Sequence, residues 1–309
     1  MRTSFLVLGF ITLFLIGLGV WFAKRPLDLI NAITPGSHSE KTLGLSYGTD
    51  VRQKLDIYRP IAQDQPAPVV VFFYGGSWNR GERADYAFVG EALAARGMVA
   101  VLVDYRVYPQ VRYPAFLDDV AMAVAWSFKE INRYGGDPQN IFLMGHSAGA
   151  YNAAMLALDE TWLAKQGASA KALRGLIGLA GPYDFIPIVN PEVRPVFFFP
   201  NTPAESQPIN HVSANAPPSL LIAPQEDQLV NPKRNTGGLA KRLREAGVKV
   251  TETYYKSTSH TSLVGAIAWP LRGLAPVLDD VSTFVAANLQ ATTKANVATP
   301  PAAKAASPL

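Results

Sequence analysis

Asn140-Ile141-Phe142-Leu143-Met144-Gly145-His146-Ser147-Ala148-Gly149 is the stretch on which the fold turns. Residues 140–144 are a short apolar run of strand length, and residues 148–158 read as a helix. A Gly-x-Ser-x-Gly pentad lodged between a buried strand and a helix has the pattern of a nucleophile elbow. Its glycines allow a tight turn and close backbone approach, and Ser147 is lifted out of the turn with a helix N-terminus behind it. The plain alternative is a strand-to-helix loop with a capping serine; the strand–turn–helix context favours the nucleophile.

Outward from this pentad the same rhythm repeats. Residues 43–47 and 54–58 read as a strand pair near one sheet edge. Residues 69–73 and 99–103 are continuous apolar runs, the composition of strands covered on both faces. Residues 176–180, 219–223 and 248–252 complete the set. Helices are predicted over 83–96, ending at Gly97, and along the stripe Phe116, Val120, Val124, Phe128 and Ile131. Further helices are predicted over 232–246, with Asn231-Pro232 as cap and first turn, and over about 277–289. The expectation is an α/β fold: a mostly parallel eight-stranded sheet with helices on both faces, built from residues 41–290. Residues 185–218, rich in Pro and Phe, interrupt the rhythm as an irregular insertion expected to wall a pocket.

A serine hydroxyl is a weak nucleophile until a nearby base takes its proton. Of the four histidines, His38 precedes the first strand, His146 adjoins Ser147 and is expected to point off the turn, and His211 falls in the insertion. His260 follows the last strand, in Ser257-Thr258-Ser259-His260-Thr261, where a loop can deliver it across a cleft to Ser147. It is therefore the expected base, with His211 as rival. The orienting acid should come in the chain order Ser, acid, His. Asp227 does so, directly after the strand at 219–223, with Glu226 and Asp184 as alternatives. Phe73-Tyr74-Gly75-Gly76-Ser77-Trp78 ends a central strand, so the amides of Gly76, Ser77 and Ala148 are expected to face a developing oxyanion. Trp78, Tyr105, Tyr113, Tyr183, Phe197, Phe198 and Phe199 are expected to give the pocket an apolar lining. Asp118-Asp119 lies in the first turn of a helix, where carboxylates are favoured by the dipole, so no metal is expected. Gly75-Gly76 is no nucleotide fingerprint, and no cofactor is expected.

On these residues the chain resembles the α/β-hydrolase superfamily, in particular the esterase branch related to carboxylesterases, hormone-sensitive lipase and kynurenine formamidase. The resemblance runs from about Leu43 to Leu289. It rests on Leu55-Asp56-Ile57-Tyr58, the glycine loop ending in Trp78, Asp104-Tyr105-Arg106, Tyr113-Pro114, Asp118-Asp119, the Ser147 elbow, Asp227 and His260. It implies a serine hydrolase with Ser147, Asp227 and His260 in catalytic roles, cleaving a small to medium carboxylic ester through an acyl-enzyme. An arylformamidase or peptidase with the same triad, and a tethered binding protein without catalysis, are the alternatives. In that branch the glycine loop usually begins with His; Tyr74 stands there in this chain, so the amide donors should survive while the support behind the loop differs.

The chain of 309 residues, 49% hydrophobic and 17% charged, is long enough for a sizeable core. It contains no cysteine, which excludes disulfides, Cys-ligated zinc and thiol nucleophiles. The net charge is only +4, and the densest basic cluster (Lys233, Arg234, Lys241, Arg242, Arg244) has helical spacing, so it reads as a solvated helix face with no nucleic-acid partner. Residues 5–23 carry no charge, and a helix over them would be about 28 Å long, close to a bilayer core. The expectation is a transmembrane helix or signal peptide in residues 1–24, touching lipid through residues 5–23, then a juxtamembrane linker over 25–40. The catalytic domain would be extracytoplasmic, membrane-anchored or, after cleavage, secreted. Residues 291–309 are expected to form a disordered tail.

Overall fold

The computed structural model describes residues 26–37 and 39–290. Its strands are β1 (Ser39–Ser46), β2 (Lys54–Pro60), β3 (Ala67–Phe73), β4 (Val99–Val103), β5 (Gly136–His146), β6 (Gly175–Leu179), β7 (Ser219–Pro224) and β8 (Val250–Tyr255). Its helices are α1 (Pro26–Ile33), α2 (Ala87–Ala94), α3 (Ala115–Glu130), α4 (Ala148–Leu158), α5 (Glu160–Ala164), α6 (Gly238–Glu245), α7 (His260–Gly265) and α8 (Val277–Ala287). The strands form one sheet in the order β1-β2-β4-β3-β5-β6-β7-β8. β2 runs antiparallel to both β1 and β4, and the remaining pairs are parallel.

Composition places the centre. Val69, Val70, Val71, Phe72 and Phe73 in β3 and all of β4 are inaccessible to solvent, as β-branched and aromatic runs covered on both faces must be. α4 is buried along its whole length, and its Ala-rich surface lets it lie close behind the central strands. The ladder registers align the strand ends. Phe73 pairs with Val103 on one side and Gly145 on the other, His146 pairs with Leu179, and Pro224 pairs with Tyr255. The C-terminal ends of the parallel strands thus form a single edge, and the loops leaving it carry the candidate site.

The expected α/β architecture with eight strands matches this sheet, with local differences. β8 begins at Val250, two residues later than predicted, because α6 ends in a reversed turn. Gly247 adopts φ 80°, its N–H donates to the Arg244 carbonyl, and the Val248 N–H donates to that of Leu243. Val248 is thereby folded back on the helix end as its apolar stop. The helix predicted over 232–246 opens with a wide π turn, Lys233–Gly237. Asn231 caps that turn as expected, accepting from the Arg234 N–H at 2.9 Å. The turn also buries Asn235, whose Oδ1 accepts from the amides of Tyr183 and Asp184 at 2.7 and 2.9 Å.

The N-terminal expectation requires correction. The proposed membrane span over residues 5–23, His38 and the tail from Ala291 lie outside the described residues. Among the described residues no helix is long and apolar enough to cross a membrane. The longest, α3, has 16 residues, about 24 Å at 1.5 Å per residue, and it carries Asp118, Asp119, Lys129 and Glu130. The fold class is therefore an α/β domain with no membrane-spanning helix among its described residues. The expected lipid contact, anchor and membrane-anchored location find no support in it and are withdrawn. The segment assigned as a juxtamembrane linker contains α1, which packs on the domain. Asn31 Nδ2 donates to the carbonyls of Ala84 and Asp85, each at 3.0 Å, and its Oδ1 accepts from the Phe88 N–H at 3.0 Å. These bonds close the start of α2, whose first N–H groups have no partner within the helix.

The closeness of α4 to β3 is testable. A Cβ at Gly149 would lie 2.0 Å from the Phe73 carbonyl oxygen and 2.4 Å from its carbon. Gly149→Ala is therefore expected to lower stability by about 3 kcal/mol through overpacking. Gly273→Ala, which meets nothing within 4 Å, should stay within about 0.5 kcal/mol of the parent. Urea unfolding of the two variants decides this, and coincident midpoints would refute the packing argument.

Candidate active site

β5 ends on His146, and the chain turns into α4 within one residue. Ser147 makes that turn at φ 54°, ψ −122°, a conformation costing a non-glycine residue on the order of 1–3 kcal/mol. Hydrogen bonds hold it from both sides: its N–H donates to the Leu179 carbonyl at 2.9 Å, and its carbonyl accepts from Ala150 and Tyr151 at 2.9 and 3.1 Å. A Cβ at Gly145 would lie 2.2 Å from the Gly149 carbonyl, so only glycine lets the strand end and helix start pass so closely.

The Ser147 Oγ lies 2.8 Å from His260 Nε2, and His260 Nδ1 lies 2.7 Å from Asp227 Oδ2. A carboxylate accepts only, so Nδ1 carries the proton and Nε2 is left as the acceptor for the Ser147 hydroxyl. His260 sits on the first residue of α7 instead of a bare loop. Ser259 caps that helix in a reciprocal pair with Ser262, each side chain accepting from the other residue's N–H. Asp227 is fixed in turn: its Oδ1 accepts from the N–H groups of Leu229 and Val230 at 2.8 and 3.1 Å. Burial alone would raise its pKa. The bond and charge of His260, with the two amides, outweigh burial and hold the carboxyl below its ordinary range.

The rivals are engaged elsewhere. His211 faces the Glu205 carbonyl at 2.6 Å and Asp159 at 3.7 Å. Asp184 is bonded by Arg234 at 2.8 and 3.0 Å, and Glu226 is exposed. His146 does not point off the turn. It is buried, its Nε2 lies 2.8 Å from the His260 carbonyl oxygen, and its ring centroid is 5.1 Å from that of His260. A carbonyl only accepts, so His146 is the Nε2–H tautomer. Its buried Nδ1 has no partner among the described residues. Burial, reinforced by the neighbouring His260, lowers its pKa from 6.5 to about 3. Sequence reasoning missed this contact because nothing local in the sequence says where the carbonyl of residue 260 will lie.

The glycine loop lies against the elbow, since a Cβ at Gly75 would come within 3.0 Å of the Ser147 Cβ. Gly76, Ser77 and Trp78 have positive φ of 131°, 53° and 56°. The Gly76 carbonyl accepts from Asn79 and Arg80 at 3.0 and 3.2 Å, and the Trp78 carbonyl accepts from Tyr108 at 2.7 Å. The N–H groups of Gly76, Ser77 and Ala148 have no hydrogen-bond acceptor among the described residues, and all three residues line the cleft with Ser147. Tyr74 supplies the altered support expected behind the loop. Its hydroxyl accepts from Arg52 Nη2 at 2.7 Å, and its ring stacks on Tyr105 and Tyr86 at 4.8 and 5.7 Å. The Tyr105 hydroxyl donates to the Tyr74 carbonyl at 2.8 Å.

The cleft holds about 270 Å³. Of the residues expected to line it, Trp78 does so; its indole N–H donates to Asn152 Oδ1 at 3.1 Å. Tyr105 and Tyr183 are fully buried behind the loops. Tyr113 and Phe197 stack on each other at 5.6 Å, and Phe197 meets Trp78 edge-on at 4.8 Å from beneath the cleft wall. Phe198 and Phe199 turn outward onto Arg112 and Arg194. These are corrections to the expected lining. The apolar wall is instead Phe185, Ile188, Val189, Val193, Leu229 and Val230, with Arg80, Tyr86, Asn190 and Thr261 adding polarity. The insertion does wall the cleft, through its first nine residues. Asp119 is occupied by Arg106 and Gln53, and Asp104 by Arg83 and its N–H, so these acids brace loops.

A family model described as BD-FAE matches residues 55–243. A probable isoprenylcysteine alpha-carbonyl methylesterase of Arabidopsis thaliana is 28% identical over 77% of this chain and 54% of its own length. Esterase LipC of Mycobacterium tuberculosis is 33% identical over 64% of this chain and 54% of its own length. The chain thus spans about half the length of these curated relatives. Among solved structures, an esterase B from Lactobacillus rhamnosis bound to a tributyrin phosphonate superposes with a TM-score of 0.71 at 19% identity, over 89% of this chain and 94% of that one. A carbohydrate esterase from gut microbiota superposes at 0.68 and 19% identity, over 82% and 99%. At that identity the likeness is one of fold.

Buried His146 has an acid-stability consequence. The unfolded chain takes a proton there near pH 6.5 and the folded chain only near 3, so stability falls as pH drops from 6.5 towards 3. Asp227 acts in the same direction, since its depressed pKa contributes stability that is lost as pH falls below about 3.9. His146→Gln removes the first effect alone. Between pH 7 and pH 4 it should lose roughly 2–3 kcal/mol less stability than wild type in urea titrations; equal losses would contradict a histidine buried neutral.

Proposed function

The chain belongs to the BD-FAE family, and from that premise we propose that it is a serine esterase. The reading has Ser147 as nucleophile, His260 as general base and acid, and Asp227 as the group that fixes the imidazole. The observation that carries it is the unbroken hydrogen-bonded chain from Ser147 Oγ through His260 to Asp227, at 2.8 and 2.7 Å, beside unengaged backbone amides.

In this reading Ser147 Oγ attacks the ester carbonyl while its proton passes to His260 Nε2. The carbonyl oxygen becomes an oxyanion held by the amides of Gly76, Ser77 and Ala148, each donor contributing about 3 kcal/mol in the transition state. His260 then protonates the departing alkoxide, leaving an acyl-serine, and activates water to release the acid. Asp227 stays ionised because its surroundings lower its pKa, which favours the imidazolium formed in each step. The substrate is a small to medium carboxylic ester with one apolar side, received by the wall from Phe185 to Val193 and by Leu229 and Val230. The curated relatives are named for a methyl ester borne by an isoprenylated cysteine or simply as esterases, and a cleft of about 270 Å³ with one apolar wall is compatible with a short alcohol and an apolar acyl part.

A fluorophosphonate should label wild type and leave Ser147→Ala unlabelled. Asp227→Asn should reduce kcat by roughly 10³–10⁴-fold by releasing the wrong imidazole tautomer, with circular dichroism unchanged. Short-chain p-nitrophenyl esters should be cleaved faster than N-formyl aromatic amines or peptides. The ester reading would be lost if the labelled protein preferred the amides, and the hydrolase reading if folded wild type took no label.

A further inference from the structure

His146 lines the cleft beside the triad, yet the proposed reaction gives it no task. We infer that His146 is a positioning residue, whose Nε2–H bond to the His260 carbonyl fastens the backbone of the base to the strand end that carries the nucleophile. This rests on the serine-hydrolase reading above.

The bond closes a ring of contacts. His146 and Ser147 are adjacent in the chain, and both reach residue 260: Ser147 meets its ring at 2.8 Å, and His146 meets its carbonyl at 2.8 Å. A base held to its nucleophile by one hydrogen bond can pivot about it. A second bond, from the neighbouring residue to the base's own main chain, removes that freedom. The need is local, because His260 opens a helix of only six residues, too short to hold its position by its own hydrogen bonds. The Asp227 bond fixes the ring and makes no contact with the backbone of residue 260.

The surroundings leave His146 one way to act. Its Nδ1 lies in the packed contact with Gly75, 3.0 Å from where a Cβ on that glycine would stand, and it has no partner among the described residues. The Nε2–H is thus its single working donor. The charged or titratable groups around it are His260 and, beyond it, Asp227. A neutral His146 adds no charge opposing the imidazolium that His260 becomes during turnover.

The test compares side chains by reach. Gln places its amide nitrogen near the position of a histidine Nε2; Asn falls one bond short, and Leu has no donor. His146→Leu and His146→Asn should lose kcat by roughly 10²-fold, the size of a misplacement of about 1 Å, with KM and melting temperature nearly unchanged. His146→Gln should recover to within about fivefold of wild type, and a kcat loss at constant KM in the other two marks misplacement of the base for the chemical step, with substrate binding spared. If Leu unfolds the chain, the Asn–Gln pair carries the comparison. Wild-type kcat in folded Leu or Asn variants, or a Gln variant as slow as Asn, would overturn the inference. The rate of Ser147 phosphonylation by a fluorophosphonate should rank the variants in the same order. A protein that takes the label but cleaves no ester would defeat the ester reading while the labelling order still decides the role of His146; a wild type that takes no label overturns both.

Discussion

The parallel ladder between β3 and β5 is the constraint on which the site depends. Phe73 stands opposite Gly145, so the chain leaves both strands at the same height, and the glycine loop and the serine turn emerge side by side. β7 and β8 continue the alignment through the pairing of Pro224 with Tyr255, which brings the segments bearing Asp227 and His260 to that edge. A shift of one residue in either ladder would send every side chain of the shifted strand to the opposite face of the sheet. The contacts of 2.7 and 2.8 Å among Ser147, His260 and Asp227 presuppose these registers, which is why apolar burial deep in β3 and β5 bears on geometry at the sheet edge.

Much of this arrangement is written locally. The apolar runs at 69–73, 99–103 and 140–144 identify strands covered on both faces, and the Gly145 to Gly149 pentad specifies a turn that only small neighbours permit. Chain order makes Asp227 and His260 candidates for acid and base but leaves Asp184, Glu226 and His211 open, and only the folded chain shows which of them stand in line with Ser147. What stays hidden are contacts between distant segments. Tyr105, Tyr113 and Tyr183 look like pocket residues because they are aromatic and lie near strand ends, but burial sends them behind the loops. Ile188-Val189 and Leu229-Val230, apolar pairs in irregular stretches, carry no periodic signal in the sequence yet stand at the cleft. The apolar stretch at residues 5–23 suggested a span by length and hydropathy alone, and the described helices offer it no counterpart.

The glycine loop shows how backbone strain is met by packing. Ser77 and Trp78 both take positive φ, which local preference opposes. Trp78 is held by Asn152, by Tyr151 edge-on at 5.0 Å and by Phe197 at 4.8 Å. Its neighbours belong to α4 and the insertion, so the same aromatic cluster joins the amide-bearing loop, the helix behind the serine and the cleft wall. Tyr74 extends that support on the other side through Arg52 and Tyr105. A tyrosine in place of a histidine there keeps a buried polar group bonded, with an arginine as partner, and leaves the amides ahead of it unengaged.

Asn31 gives α1 a reach beyond its own eight residues. Its three hydrogen bonds end on Ala84, Asp85 and Phe88, flanking Tyr86, which faces the cleft and stacks on Tyr74. A chain shortened to begin after residue 33 would keep every member of the triad and still strip the brace from the turn that carries one cleft wall. Through those three bonds this short helix is part of the cleft's foundation.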